Sequence, residues 1–157
     1  MSFELHGIVE DHPLKSGGWE LLRSFSLRSP QLVGFHAELQ SKRVAIVDDG
    51  LLLVHANYRG DGASVPGFVP RWLIDAEDEK ITAAWWVHDA LYDLCRSGQI
   101  KEWEALRAVA DQLFYEIMIS RGVPKWRAKG AYLVLRWRGA YAARPQPDVE
   151  LKVRVAP

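Results

Sequence analysis

The chain of 157 residues has one cysteine, Cys95. It can form no internal disulfide and no multi-cysteine zinc site, and a lone thiol fits a reducing compartment or an assembly made in one. Charge of a single sign is also missing. Lys+Arg and Asp+Glu are 20 each, so the formal net charge is zero. That gives no sign of a globally basic nucleic-acid binder, although a local patch stays open. No apolar stretch approaches the roughly 20 residues that span a bilayer. The opening Met-Ser-Phe-Glu-Leu-His lacks the cationic start and apolar run of a signal peptide. Internal repeats and low-complexity segments are absent as well. What is plentiful is apolar and aromatic surface. Seven tryptophans in this length point to a broad aromatic core or to an interface. Length and composition are those of one globular domain over residues 1–157, large enough to bury a core without staples.

The first part, residues 1–56, reads as β. Phe3, Leu5 and Ile8 or Val9 suggest a short strand. Trp19, Leu21, Phe25 and Leu27 alternate with Glu20, Ser24, Ser26 and Arg28, the period of a half-buried strand. Val33, Phe35, Ala37 and Leu39 repeat that pattern. Val44 to Val47 and Leu51 to Val54 flank Asp49-Gly50, a tight-turn pair, because glycine accepts the positive φ such turns need. Residues 57–70 hold three glycines and two prolines, which forbid a regular helix and make either a ligand loop or a plain connector.

From Ile81 the period changes to that of a helix. Ile81, Ala84, Trp85, His88, Leu91, Tyr92 and Cys95 share one stripe, and Ser97-Gly98 ends it. A second helix is expected from Ile100 to Arg121, with Trp103, Leu106, Ala110, Leu113, Phe114 and Ile117 inward. Gly122 stops it, and Pro124 suits the start of a third, expected to bury Trp126, Gly130, Leu133, Val134 and Trp137. After Arg144-Pro145-Gln146-Pro147, the alternation of Val149, Leu151, Val153 and Val155 predicts a closing strand over 148–155. The expected fold class is α+β. An N-terminal β-rich half leads into a three-helix half over 81–142, containing a His-Asp helix pair, and a C-terminal strand follows.

His88 lies in the middle of its apolar stripe. Burial lowers the pKa of an imidazole, and a neutral, oriented imidazole is what a general base requires. The alternative is a buried histidine satisfied by a backbone carbonyl. Asp89 follows, about 100° round the helix, and can point at the mouth of the same cleft. Tyr92, four residues on, shares the face of His88. Asp111 sits on the second helix with Phe114 and Met118 at i+3 and i+7, so its face turns inward, and a buried carboxylate needs a partner. His88 and Tyr92 are the obvious ones. An aspartate behind an imidazole fixes its tautomer and stabilises the imidazolium. The same three residues could equally be a structural network locking two helices.

These residues resemble two families. Asp61-Gly62-Ala63-Ser64-Val65-Pro66, His88-Asp89-Ala90-Leu91-Tyr92, Ala110-Asp111-Gln112-Leu113-Phe114 and Gly122-Val123-Pro124-Lys125-Trp126, in this order over roughly residues 40–140, resemble a phage- and prophage-encoded family of unknown function. That resemblance implies a protein made in the bacterial cytoplasm and associated with the virion, with other virion proteins as partners. Tyr58-Arg59-Gly60-Asp61-Gly62, His88-Asp89-Ala90-Leu91-Tyr92 and Ala110-Asp111 are also similar to the calcium-dependent sn-2 phospholipases, especially the cysteine-poor form in parvovirus capsids. The chain departs from them in a longer interval between Tyr58 and His88. The phospholipase resemblance implies His88 as base, Asp111 holding it and Tyr92 supporting Asp111. Calcium would sit on oxygens of Tyr58, Gly60, Gly62 and Asp89, of the hard type that suits it. Asp61 and Ser64 are loop candidates with no assigned role.

Other constellations are weaker. Ser64 is outside the G-x-S-x-G context of a nucleophile elbow. His6, His12, His36 and His55 are scattered without metal-ligand spacing, and Cys95 reads as inert core. Lys125, Arg127, Lys129, Arg136 and Arg138 form a cationic run with no acid between them. It reads as a solvated helix face, as a surface drawn to membrane phospholipid with the help of Trp126, Tyr132 and Trp137, or as a docking face for a virion protein. Two functions follow. One is a particle-associated phage protein with a phospholipase-like hydrolytic centre; the other is a non-catalytic tail or head component whose His-Asp-Tyr network is structural.

Overall fold

The computed structural model describes residues 3–60, 69–75 and 78–146. The loop candidates Asp61, Gly62 and Ser64 and the expected strand over 148–155 lie outside these residues. The β-rich part comes first. Its strands are β1 (Glu4–His6), β2 (Asp11–Pro13), β3 (Trp19–Leu21), β4 (Phe25–Arg28), β5 (Ala37–Leu39), β6 (Val44–Val47), β7 (Leu51–Val54) and β8 (Arg59–Gly60). They form two antiparallel sheets. One has the order β1-β4-β7-β6-β5 and the other β2-β3-β8. Three helices follow: α1 (Glu79–Arg96), α2 (Trp103–Ser120) and α3 (Lys125–Ala143).

The larger sheet obeys its alternation. Phe25, Leu27, Val44, Ile46, Leu52 and Val54 are buried, and α1 packs on β5 and β6. The expected strand from Trp19 to Leu27 is divided, however. Leu22 and Arg23 are exposed, the Ser24 hydroxyl accepts from the amide of Ala56, and the chain crosses there from the small sheet to the large one. The expected strand from Val33 shrinks to β5. Pro30 fixes φ and Ser29 Oγ accepts from the amide of Gln31, which winds Pro30–Leu32 into a 3-10 turn, and Gly34 then adopts φ +94.

Helix α1 is the central element, buried on most sides. Asp78 caps it by accepting from the Lys80 amide, and Gly98 at φ 75 ends it. Helix α2 buries the expected stripe, and Gly122 at φ 87 turns the chain into α3. The inward face of α3 differs from the expectation. Trp126, Leu133 and Trp137 are exposed, whereas Ala128, Ala131, Gly139 and Ala143 are buried. The reason is close approach. A Cβ on Gly139 would run into the Tyr92 hydroxyl of α1, so only small side chains fit that seam, and the bulky ones turn outward.

Candidate active site

One carboxylate anchors the site. Asp111, on the inner face of α2, is fully buried. Its Oδ1 accepts from His88 Nε2 at 2.8 Å and from the Tyr92 hydroxyl at 2.7 Å, both on α1. Its Oδ2 accepts from Arg136 Nη1 of α3 at 2.9 Å and from Arg107 Nη1, one turn back on α2, at 3.4 Å. Burial pushes the carboxyl up, but the hydrogen bonds from His88, Tyr92 and Arg136 outweigh it and hold Asp111 below the usual carboxylate range. The two arginines were not expected as its partners: Arg136 was assigned to a surface run, and Arg107 carries no motif.

The His88 ring is walled by aromatic edges, with Trp85 and Phe114 centroids at 5.8 and 5.4 Å. Burial lowers its pKa. Asp111 pulls it partly back up, and the cations Arg96 and Arg107 push it down again, so the neutral imidazole is favoured. With Nε2 given to Asp111, Nδ1 has no hydrogen bond among the described residues. His88 lines a cleft of about 370 Å³ between α1, β8 and the second half of α3. Tyr92, Asp89, Asp93 and Trp85 line it too. Trp85 Nε1 is buried and has no hydrogen-bond partner among the described residues. Burial first, then Asp111, push the Tyr92 phenol far above its ordinary range, which keeps it a hydrogen-bond donor.

Asp89 meets the β half at Gly60. A Cβ on Gly60 would lie 2.9 Å from Asp89 Oδ2 and 3.3 Å from the Trp86 ring, so only glycine lets this backbone reach the carboxylate. Tyr58 is engaged elsewhere. It is a core residue whose carbonyl accepts from the Leu21 amide at 2.9 Å and whose hydroxyl donates to Asp93 Oδ2 at 2.5 Å. Among the described residues, no group of three or more His, Cys, Asp or Glu side chains is placed to hold a metal. Of the residues that the resemblance assigns to a metal, the structure brings Asp89 and Gly60 together and engages Tyr58 elsewhere.

The carboxylate that sequence reasoning missed is Asp93. It is buried and accepts from Tyr58, from Lys42 Nζ at 3.2 Å and from the Arg96 guanidinium. The signal was present: Asp89, Asp93 and Arg96 recur at i, i+4 and i+7 beside the apolar stripe of α1. Cys95 is inert, since burial pushes its thiol up to about 12.

A family model matches residues 38–135, more than half of the chain. The chain belongs to the family described as a protein of unknown function, DUF1353. No curated protein and no solved structure matches it. The DUF1353 match runs from β5 into α3. It takes in His88, Asp89, Tyr92, Asp93 and Asp111, the whole polar side of α1 and its partner on α2.

The cationic run divides within α3. Arg127 turns inward to Asp78 Oδ2 at 3.0 Å and to the Leu73 carbonyl, and Arg136 goes to Asp111. Lys125, Lys129 and Arg138 are exposed, as are Trp126 and Trp137.

Proposed function

We propose that the DUF1353 cleft hydrolyses a carboxylic ester by a phospholipase-like His-Asp mechanism. The observation that carries this reading is the bond from His88 Nε2 to Asp111 at 2.8 Å, which leaves a neutral ring on the wall of a cleft with its second nitrogen available. In the proposed reaction Nδ1 of His88 takes a proton from water, and the water oxygen attacks the ester carbonyl carbon. The ester C–O bond breaks, and the imidazolium returns its proton to the departing alcohol oxygen. Asp111 holds the ring and offsets its transient charge, and Tyr92 holds Asp111. Calcium is part of the proposal. Asp89 and Gly60, with Gly62, would hold it, and Tyr58 would not. Bound there, the ion would supply an electrophile for the carbonyl oxygen. Association with a phage particle rests on the sequence motifs alone.

A second reading has one specific observation in its favour. Asp111 accepts from side chains of three helices, which is what a purely structural lock would look like. On that reading the protein is a non-catalytic tail or head component. His88→Asn separates the two, because Asn keeps one polar contact to Asp111 but cannot act as base. Hydrolysis of a soluble monomeric ester with millimolar calcium is expected in the unmodified protein and lost in the variant, while melting changes by no more than an imperfect hydrogen bond allows, about 1–2 kcal/mol. Hydrolysis that persists in His88→Asn, or its absence from the unmodified protein, sinks the enzymatic reading.

A further inference from the structure

The outer face of α3 is exposed, and its composition is one-sided. Trp126 is 63% exposed, Leu133 55%, Trp137 70% and Tyr141 80%. These positions are i, i+7, i+11 and i+15 of one helix, so they form a single ridge of roughly 22 Å. Trp72, 64% exposed, extends it, with its ring centroid 5.9 Å from that of Trp126. Scattered exposed apolar residues are ordinary; an aligned row of four large ones is not. Helix α3 contains no Asp or Glu. Lys125, Lys129 and Arg138 stand exposed beside the ridge, Arg138 over the Trp137 ring at 4.9 Å.

Charge and side-chain type together select the occupant. A second copy meeting this face with its own would bring cations against cations, with no acid on either helix to offset them. A nucleic acid would meet the cations but would give Leu133, in the middle of the ridge, nothing to pack on. The headgroup layer of an anionic membrane satisfies both features. Indole and phenol rings sit at its polar-apolar boundary, leucine enters the acyl side, and Lys and Arg meet lipid phosphates. We propose that the Trp126–Leu133–Trp137–Tyr141 ridge, with Lys125, Lys129 and Arg138, seats the protein on an anionic bilayer surface.

The ridge and the cleft share a border. Arg138 and Tyr141 belong to the ridge and also line the cleft, together with Leu135 and Ala142. A protein seated this way holds the mouth of the cleft beside the lipid headgroups. This seating does not require His88 to be catalytic, so its test uses no activity.

The experiment is co-sedimentation of the full chain with phosphatidylcholine vesicles, with and without a third of phosphatidylglycerol. Tryptophan emission is followed in parallel. Binding to the anionic vesicles with a blue shift is expected, together with weakening in high salt and little binding to the neutral vesicles. Trp126→Ser with Trp137→Ser, and separately Lys125→Glu with Lys129→Glu, should each weaken binding by about tenfold or more without moving the melting temperature, since all four side chains are exposed. Should a variant fail to fold, quenching of the unmodified protein's emission by lipids brominated in the acyl chain still decides the matter. No binding to anionic vesicles overturns the proposal, as does binding indifferent to both variants. Equal affinity for a duplex oligonucleotide without an emission shift overturns it in favour of a polyanion site. A dimer in sedimentation equilibrium that Trp137→Ser dissociates overturns it in favour of a homotypic interface.

Discussion

Asp111 carries its charge where no water reaches it, and the four donors around it explain how. Two of them are guanidinium groups on the oxygen that faces away from His88. They offset part of the carboxylate charge, so Asp111 still favours an imidazolium at His88, but less than burial disfavours it, and Arg96 and Arg107 add to that cost. The pH dependence follows. The pKa of His88 is lowered on folding, so below the ordinary imidazole value of about 6.5 the unfolded chain binds the extra proton and the folded chain resists it. The contribution of His88 to stability is thus complete above about pH 6.5 and is lost as pH falls toward its folded value. Asp111, also lowered, contributes above the ordinary carboxylate value of about 3.9 and loses its contribution as pH falls through its own folded value. Melting temperature of the metal-free protein, measured against pH, should decline first below about pH 6.5 and again in acid. His88→Asn should remove the first decline and spare the second; an unchanged first decline would show that another group causes it. His88, Tyr92 and Asp111 were legible in the sequence because each sits at helical spacing within an apolar stripe. Asp93 left a signal in its spacing from Asp89 and Arg96, but Arg107 left none, because a buried charge paired across elements leaves the same local pattern as a solvated one.

At the scale of elements, α3 shows how a helix is placed by what it lacks. Its inward side is Ala128, Ala131, Gly139 and Ala143, and the close approach lets Arg107 reach the carbonyls of Leu135 and Arg136 at 3.4 Å. Two glycines of this helix separate packing from helix propensity. Replacing a mid-helix glycine by alanine is worth up to about 1 kcal/mol in propensity. At Gly130 the new methyl meets only Leu73 Cδ1, at 2.7 Å, the far end of a side chain that can rotate away. At Gly139 it meets the Tyr92 hydroxyl, pinned by Asp111 at 2.7 Å, with Arg107 Nη1 3.2 Å away. Overpacking of a pinned group costs about 1–3 kcal/mol, enough to outweigh the propensity gain. Urea unfolding should find Gly130→Ala unchanged or slightly stabilised and Gly139→Ala destabilised. Adding Tyr92→Phe to Gly139→Ala should recover part of the loss; a strictly additive double variant would mean the clash is relieved elsewhere. Sequence periodicity located all three helices but chose the wrong face of α3. Hydrophobicity favours Trp126 and Trp137 for the interior, and only the neighbouring helices decide that the seam is too narrow for them. The strand reading ran past a break: Leu22 and Arg23 interrupt the alternation between Leu21 and Phe25, and the chain changes sheets there.

Across the whole molecule, the cleft lies where the β part and the helical part meet, so the groups that join the halves also shape it. Trp86 of α1 donates to Asp11 of β2 at 2.7 Å, and Gln99 exchanges bonds with the backbone of Glu38 in β5. The densest junction is Asp93. It draws Tyr58, just before β8, and Lys42, between β5 and β6, onto α1, while Arg96 beside it reaches the Ala142 carbonyl at the end of α3. Burial and the nearby Asp93 push the Tyr58 phenol well above its ordinary value, so it stays protonated and donating. Asp93→Ala would leave that hydroxyl and the Arg96 guanidinium without their acceptor. Removing one member of a buried pair costs about 3–5 kcal/mol, and the lower end applies because Arg96 stays about a third exposed and Lys42 about half. The pair of Arg59 with Glu20 is the natural control. It also lies in the β part, but Arg59 is mostly exposed, and such a pair is worth at most about 1 kcal/mol. Urea unfolding should therefore place Asp93→Ala about 3 kcal/mol below the unmodified protein and Glu20→Gln within about 1 kcal/mol of it. With its main junction gone, Asp93→Ala should also lose the coincidence of transitions followed by tryptophan emission and by far-ultraviolet circular dichroism, because the halves can then open separately. Equal losses in the two variants would mean that the halves are held together by apolar packing, with Asp93 a bystander.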